Sequence, residues 1–202
     1  PVDRERIEAA VRVAERGTSG EIVVQVVRRS DDFSVSPWRF AVLLAACVLL
    51  AADWIAPTSS LLVLFALQSA AVLAAHAACL LDPIRRLCLR EIELERAAAR
   101  GAREAFVANV ARRTEGRTGI LIYVSLLEHR VVVLGDEAID RALGPDETWE
   151  AVVDCVLGGI RAGAAADGIV RAVERCGAML AHPLPAARND RDEIVHGLIL
   201  AD

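Results

Sequence analysis

The sequence contains no lysine, because all 23 of its basic residues are arginine. The arginines are scattered along the chain and do not form the cluster that a phosphate-binding surface would need. We therefore attribute the absence of lysine to codon usage in a GC-rich bacterial genome. The net charge of −5 at pH 7 also argues against a nucleic-acid partner.

Short motifs that mark several enzyme classes are missing as well. The sequence has no P-loop, no GxGxxG, no HExxH and no GxSxG. The five cysteines form no CxxC pair, and their odd number argues against a disulfide framework. None of the four histidines is spaced with another histidine or cysteine as zinc ligands would be. These absences favour a non-catalytic protein and leave open whether the chain is an enzyme.

Apolar residues are abundant and segregated. They make up 54% of the chain although 25% of its residues are charged, and the mean hydropathy is +0.39. Residues 38–56 and 61–81 are apolar runs separated by a short polar turn. At ~1.5 Å per residue such a run can cross the ~30 Å hydrocarbon core, the first only if Arg39 and Asp53 reach the two interfaces. The sequence therefore predicts a transmembrane helical hairpin over residues 38–82, in contact with the lipid bilayer.

The charges around this hairpin predict its orientation. Arginines flank it on both sides, whereas the turn carries no basic residue. These flanking residues are Arg28, Arg29, Arg39, Arg85, Arg86 and Arg90. The positive-inside rule then places the chain in the cytoplasmic (inner) membrane, with both water-soluble parts in the cytoplasm.

Hydrophobic periodicity predicts an α/β fold on either side of the hairpin. We expect strands at 21–27, 118–126 and 130–134, the first two parallel and the last two antiparallel. We expect helices at 2–16, 84–113, near Ala138, at about 145–162 and at 165–181. The fold class is thus a small mixed β-sheet packed by helices, with an inserted two-helix transmembrane hairpin. Its parts are residues 1–37 (first part of the domain and linker), 38–82 (hairpin), 83–181 (rest of the domain) and 182–202 (a partly disordered C-terminal tail).

Three stretches occur in an order that resembles the TPM domain. The first is 18–24, TSGEIVV; the second joins 117–125, RTGILIYVS, to 130–136, RVVVLGD; the third joins 160–163 to 167–170. TPM domains are found in thylakoid lumen proteins, photosystem II repair factors and a receptor modulator. The resemblance covers residues 2–27 and 84–181. It implies a compact α/β sandwich, and a role either as an acid phosphatase or as an assembly or modulatory partner.

Acidic pairs follow two of the predicted strands. Asp31 and Asp32 come after the first strand, and Asp136 and Glu137 come after the third. Because the third strand runs opposite to the first, the two pairs should lie at opposite ends of the sheet. The pair at 136–137 shares its end with the loops around residues 18–20 and 118–119, and carboxylates there could bind Ca²⁺ or Mg²⁺. The candidate binding residues are Asp136, Glu137, Thr18 and Thr118, although each is also an ordinary cap or turn residue.

Our leading hypothesis is a membrane-tethered TPM-like domain that binds, assembles or modulates a membrane-protein partner. Small residues on the predicted spans would allow close helix packing within the hairpin or against another protein. These residues are Ala45, Ala46, Ala70, Ala71, Ala74 and Ala75. The alternatives are a metal-dependent phosphatase acting on phosphate esters through Asp136 and Glu137, and a homo-oligomeric membrane scaffold.

Overall fold

The chain consists of a domain and an insertion. A computed structural model describes residues 2–33, 36–55, 60–114, 116–143, 148–186 and 197–201. The chain divides into one unit of Pro1–Ser30 with Glu95–Asp202 and a second unit of Asp31–Leu94. The second unit therefore interrupts the first in sequence.

Eight helices and four strands occur within the described residues. The helices are α1 (Val2–Glu15), α2 (Ser36–Ile55), α3 (Leu61–Ala78), α4 (Asp82–Leu87), α5 (Glu91–Asn109), α6 (Glu137–Ala142), α7 (Glu150–Arg161) and α8 (Ala165–Leu180). The strands are β1 (Glu21–Val27), β2 (Gly119–Ser125), β3 (Arg130–Gly135) and β4 (Leu198–Ala201).

The first unit is built on a mixed sheet with the strand order β3-β2-β1-β4. Strand β1 pairs parallel with β2, with Glu21 opposite Gly119 and Val27 opposite Ser125. Strand β2 pairs antiparallel with β3 across a tight turn. The three predicted strands, the mixed sheet and both predicted pairings are therefore confirmed.

Alternating side chains divide the core between the two faces of the sheet. Ile22 and Ile120 belong to the larger core, which the helices α1, α7 and α8 cover. Val23 and Leu121 belong to the smaller core, which α5 covers. Because helices cover both faces, β2 is buried along its whole length, as its continuous apolar sequence predicts.

A fourth strand was not expected from the sequence. Residues 182–202 were predicted to form a partly disordered tail, yet β4 pairs parallel with β1, with Val24 opposite Leu198. The amide of Val24 donates to the carbonyl of Gly197 at 2.8 Å. Four apolar residues after a charged stretch are a weak local signal, and only the free edge of β1 gives them hydrogen-bond partners.

The second unit contains two apolar helices that pack against each other. The Gln68 side-chain amide donates to the Ala45 carbonyl at 3.0 Å, and the rings of Trp38 and His76 meet edge to face. These two contacts make α2 and α3 antiparallel. Both helices are long and apolar enough to cross a membrane.

The prediction of one long helix over residues 84–113 is wrong in one respect, because the chain forms two helices there, α4 and α5. The Cys88 amide turns back to the carbonyls of Ile84 and Arg85, which closes α4. The Glu93 carboxylate then accepts a hydrogen bond from the Arg90 amide at 3.1 Å. This is one half of a capping box, and it starts a new helix.

The helix predicted at about 145–162 begins at Glu150 within the described residues. Its expected start at residue 145 lies outside them, because residues 144–147 are not described.

Candidate functional site

The loops that carry the predicted site residues meet at one end of the sheet. The Glu21 amide donates to the Thr118 carbonyl at 3.1 Å, and the Asp136 amide donates to the Gly119 carbonyl at 2.9 Å. This end is where β1 and β2 begin and β3 ends. The expected meeting of these loops is confirmed, although ligands of parallel sheets more often bind at the carboxyl ends of the strands.

The threonines of this site are engaged in the fold. Thr18 is buried, and its hydroxyl donates to the Leu184 carbonyl at 2.7 Å while accepting from the Gly20 amide at 3.1 Å. Thr118 is half-buried and contributes its carbonyl to β1. A Cβ atom on Gly20 would lie 3.4 Å from Thr18 Oγ1 and 3.5 Å from the Thr118 carbonyl oxygen. The structure therefore places both threonines around Gly20 and uses the Thr18 hydroxyl to hold the 182–186 segment.

Asp136 and Glu137 differ in what they leave available. Asp136 caps α6, and its Oδ1 accepts from the Glu137 amide at 2.8 Å. Its Oδ2 is buried without a hydrogen-bond partner among the described residues. The exposed Glu137 carboxylate contacts Arg141 at 2.6 Å and Arg117 at 2.9 Å, through different oxygens. The hydrogen bond from Arg141, followed by that from Arg117, lowers the pKa of Glu137.

These contacts bear on the expected Ca²⁺ or Mg²⁺ site. Both Glu137 oxygens are taken by arginine, and Asp136 has one uncommitted oxygen, which is buried. No group of three or more His, Cys, Asp or Glu side chains that could hold a metal ion occurs in the described part of the chain. The described residues of this site therefore offer a hard cation one uncommitted carboxylate oxygen, and water or substrate would have to supply the other ligands. Asp31 and Asp32 follow the carboxyl end of β1 in the chain, whereas Asp136 and Glu137 belong to the end of the sheet where β1 begins.

A buried polar cluster that sequence reasoning missed lies at the carboxyl ends of β1 and β2. Tyr123 donates to the Ser30 hydroxyl at 3.0 Å, and Ser30 donates to the Ser125 hydroxyl at 3.0 Å. Ser125 donates in turn to the fully buried Glu128, which also accepts from the Ser30 amide at 2.8 Å. Burial, with a smaller contribution from the charge of Glu128, raises the pKa of the Tyr123 phenol.

This cluster locks the β2–β3 turn against the end of β1. The amides of Leu126 and Leu127 donate to the carbonyls of Val27 and Arg28, at 3.0 and 2.9 Å. Each buried group of the cluster has a hydrogen-bond partner, so the cluster holds the turn in one arrangement. Sequence pattern could not reveal it, because Ser30 is far from Glu128 along the chain.

A groove of about 480 Å³ runs beside the edge strand β3. Its floor is apolar, and two carboxylates of α7, Glu150 and Asp154, stand at its rim. The lining residues are Val131, Val132, Val133, Trp149, Glu150, Val153 and Asp154. Sequence reasoning missed this surface too, because only the packing of α7 against the sheet places Trp149 beside β3.

Comparison with known proteins adds a fold relationship. No family model matches the chain, and no curated protein matches it. The chain is similar to the NMR structure of the BA42 protein from the psychrophilic bacterium Bizionia argentinensis, with a TM-score of 0.59 and 19% sequence identity. The match covers 98% of this chain and 92% of that one. At this identity the similarity establishes the fold alone.

Proposed function

We propose that this chain is a membrane-anchored, TPM-like binding module whose water-soluble unit engages a protein partner next to the bilayer. The observation that carries the proposal is the exposure of the two apolar helices. Only 6% of the residues in Trp38–Ile55 and 11% of those in Leu61–Ala78 are buried. Core helices of soluble proteins are mostly buried, whereas lipid-facing helices present apolar side chains outward.

Three polar side chains within the hairpin support the same proposal, because each contacts a backbone carbonyl of the hairpin. Gln68 bonds to Ala45, the Ser69 hydroxyl donates to the Phe65 carbonyl at 2.9 Å, and His76 Nδ1 lies 3.3 Å from the Val72 carbonyl. Lipid hydrocarbon offers no hydrogen-bond partners, so polar groups inside a bilayer must form their hydrogen bonds within the protein.

Charged groups at the ends of the hairpin fit anchoring as well. Arg39, at the start of α2, forms a 2.5 Å ion pair with Glu93. The Arg90 amide, followed by the Arg39 side chain, lowers the pKa of Glu93. The Arg85 guanidinium donates to the Cys79 carbonyl, just beyond the end of α3. Basic residues at this end of the hairpin, with none in the turn, favour a cytoplasmic location for the soluble unit.

Small residues of the hairpin divide between two faces. Ala71 and Ala75 are buried and Ala45 is half-buried, which fits close packing of α2 against α3. Ala46, Ala70 and Ala74 are exposed instead. Three of the six alanines therefore pack within the hairpin, and the three exposed ones leave room for another helix.

Membrane anchoring is tested with a matched pair of arginine substitutions. Leu73 is 71% exposed and lies about one turn from the middle of α3, whereas Leu126 is 49% exposed in the β2–β3 turn. We expect Leu73→Arg to lose membrane association after alkaline extraction, because arginine near a helix centre costs about 2.5–3.5 kcal/mol on insertion scales. Leu126→Arg should stay with the membrane. Equal behaviour of both variants, with the parent chain in the soluble fraction, would refute anchoring.

The side of the membrane is tested with a protease-sensitive tag after residue 202. A cytoplasmic soluble unit predicts that the tag survives protease on intact cells and is cleaved after permeabilisation. Cleavage on intact cells would overturn the orientation while leaving the anchor in place.

Partner engagement is then tested by in-cell cross-linking followed by detergent extraction, and a chain that cross-links to no protein would contradict the binding module.

Phosphate-ester hydrolysis is the second candidate function. The uncommitted, buried Oδ2 of Asp136 is the observation that favours it, together with the TPM resemblance, which is an analogy at fold level. The test is hydrolysis of p-nitrophenyl phosphate by the detergent-purified chain, with and without Mg²⁺ or Ca²⁺. Asp136→Asn keeps the helix cap and removes the carboxylate. Activity that Asp136→Asn abolishes would establish an enzyme, and equal rates for both proteins would exclude Asp136 as its catalytic residue.

A further inference from the structure

We propose that the open edge of β3, beside Trp149, binds an extended, arginine-bearing segment of the partner protein as an added strand. This inference rests on the proposed binding function and specifies the site and the ligand class. The sheet order leaves β3 at an edge, and an unpaired edge is a template for another strand.

The strand register identifies which backbone groups face outward. Bonded and non-bonded residue pairs alternate along an antiparallel ladder. The Asp136 amide donates to the Gly119 carbonyl, so the pairs of Leu121 with Leu134 and of Tyr123 with Val132 are bonded ones. Val131 and Val133 lie between them and direct their N–H and C=O groups away from β2. These are the residues that line the groove.

The walls of the groove specify the charge of the ligand. Glu150 and Asp154 are exposed and lie one turn apart on α7, and neither forms an ion pair among the residues that the structure describes. Asp140 adds a third carboxylate near Trp149, since a Cβ atom on Gly135 would lie 3.1 Å from Asp140 Oδ1 and 3.0 Å from Trp149 Cζ2. Carboxylates around an indole suit a guanidinium group, which donates hydrogen bonds to carboxylates and stacks on the face of an indole ring.

Spacing favours arginine at alternate positions of the ligand. Side chains two residues apart on one face of a strand are separated by about 6.7 Å. Four residues of a helix rise about 6 Å, which is the separation along α7 between Glu150 and Asp154. One extended segment of the pattern Arg-x-Arg can therefore meet both carboxylates while its backbone pairs with β3.

A second copy of this chain is a poorer occupant of the same edge. Pairing β3 with β3 of another copy would bring two sets of Glu150 and Asp154 together, and like charges at an interface oppose association. The acidic rim thus selects a basic segment over self-association.

The direct test measures binding of a fluorescein-labelled octapeptide of alternating valine and arginine to the full chain in neutral detergent. We expect saturable binding by fluorescence anisotropy, and much weaker binding of the alternating valine–glutamate peptide and of a peptide with its valines and arginines in separate blocks. Similar binding of all three peptides, or of none, would overturn the proposal. A concentration-dependent dimer that competes with the peptide would overturn it in favour of self-pairing.

Matched variants separate charge from backbone pairing. Glu150→Gln with Asp154→Asn should weaken the peptide about tenfold. Glu95→Gln with Glu174→Gln removes the same charge from exposed sites on α5 and α8 and should leave affinity unchanged. Val131→Pro deletes an outward N–H without touching the β2 ladder, so it should keep the melting temperature close to that of the parent and lose peptide binding. Unchanged affinity in Val131→Pro would overturn strand addition.

This test is independent of the test of the proposed function. If the peptide does not bind but the chain stays in the membrane and cross-links to a partner, the groove assignment fails and the binding module stands. If the chain leaves the membrane and cross-links to no protein, the proposed function fails whatever the peptide does.

Discussion

Two adjacent glycines of α7 should differ in their response to the same substitution. A Cβ atom on Gly158 would meet no heavy atom within 4 Å. A Cβ atom on Gly159 would lie 2.4 Å from the Gly168 Cα, 2.7 Å from its nitrogen and 2.9 Å from the Ala164 carbonyl oxygen. All three neighbours are backbone atoms, so no side-chain rotation can relieve the contact.

The magnitudes follow from this difference. Alanine is favoured over glycine within a helix by up to about 1 kcal/mol, so Gly158→Ala should be neutral or stabilising. Gly159→Ala has the same helical gain, but α7 and α8 must move apart, and overpacking of this kind costs about 1–3 kcal/mol. We therefore expect Gly159→Ala to be less stable than Gly158→Ala by about 1–3 kcal/mol.

The measurement needs a probe of α7 itself, because a chain of two units need not unfold in one step. Trp149 precedes α7, and the other two tryptophans, Trp38 and Trp54, lie in α2. Replacing those two by phenylalanine leaves Trp149 fluorescence to report urea unfolding in detergent. Equal midpoints for the two alanine variants would refute the close α7–α8 contact.

Three further outcomes follow from individual side chains. Glu128→Ala leaves the Ser125 hydroxyl and a backbone amide buried without an acceptor, so thermal unfolding should show a loss of about 2–6 kcal/mol, with a smaller loss for Glu128→Gln. The pKa of Glu137 is lowered mainly by Arg141. The ionised carboxylate therefore stabilises the folded chain above its unfolded pKa of about 4.3, and this contribution is lost as the pH falls through the folded value. The difference in melting temperature between the parent and Glu137→Gln should accordingly vanish in acid. Trp149→Leu should weaken the valine–arginine peptide about two- to fivefold in anisotropy titrations, and equal affinity would show that the indole does not contact the ligand.

The candidate site illustrates how far local patterns reach. Strand directions were enough to predict that the loops around Gly20, Gly119 and Asp136 meet, because the ends of paired strands are fixed by their pairing. They could not predict that Arg117 pairs with Glu137 or that Thr18 bonds to Leu184, since these contacts join residues far apart in the chain.

The sequence by itself determined the apolar helices α2 and α3, the strands β1, β2 and β3, and the parallel and antiparallel pairings, because hydrophobic runs, alternation and turns act over a few residues. The tertiary structure alone decided the pairing of β4 with β1, the burial of Glu128 among distant hydroxyls, and the groove between β3 and α7. Each of these depends on a surface that exists only after the rest of the unit has folded. A free strand edge, a buried acceptor and a gap between helix and sheet leave no periodic trace in the residues that form them.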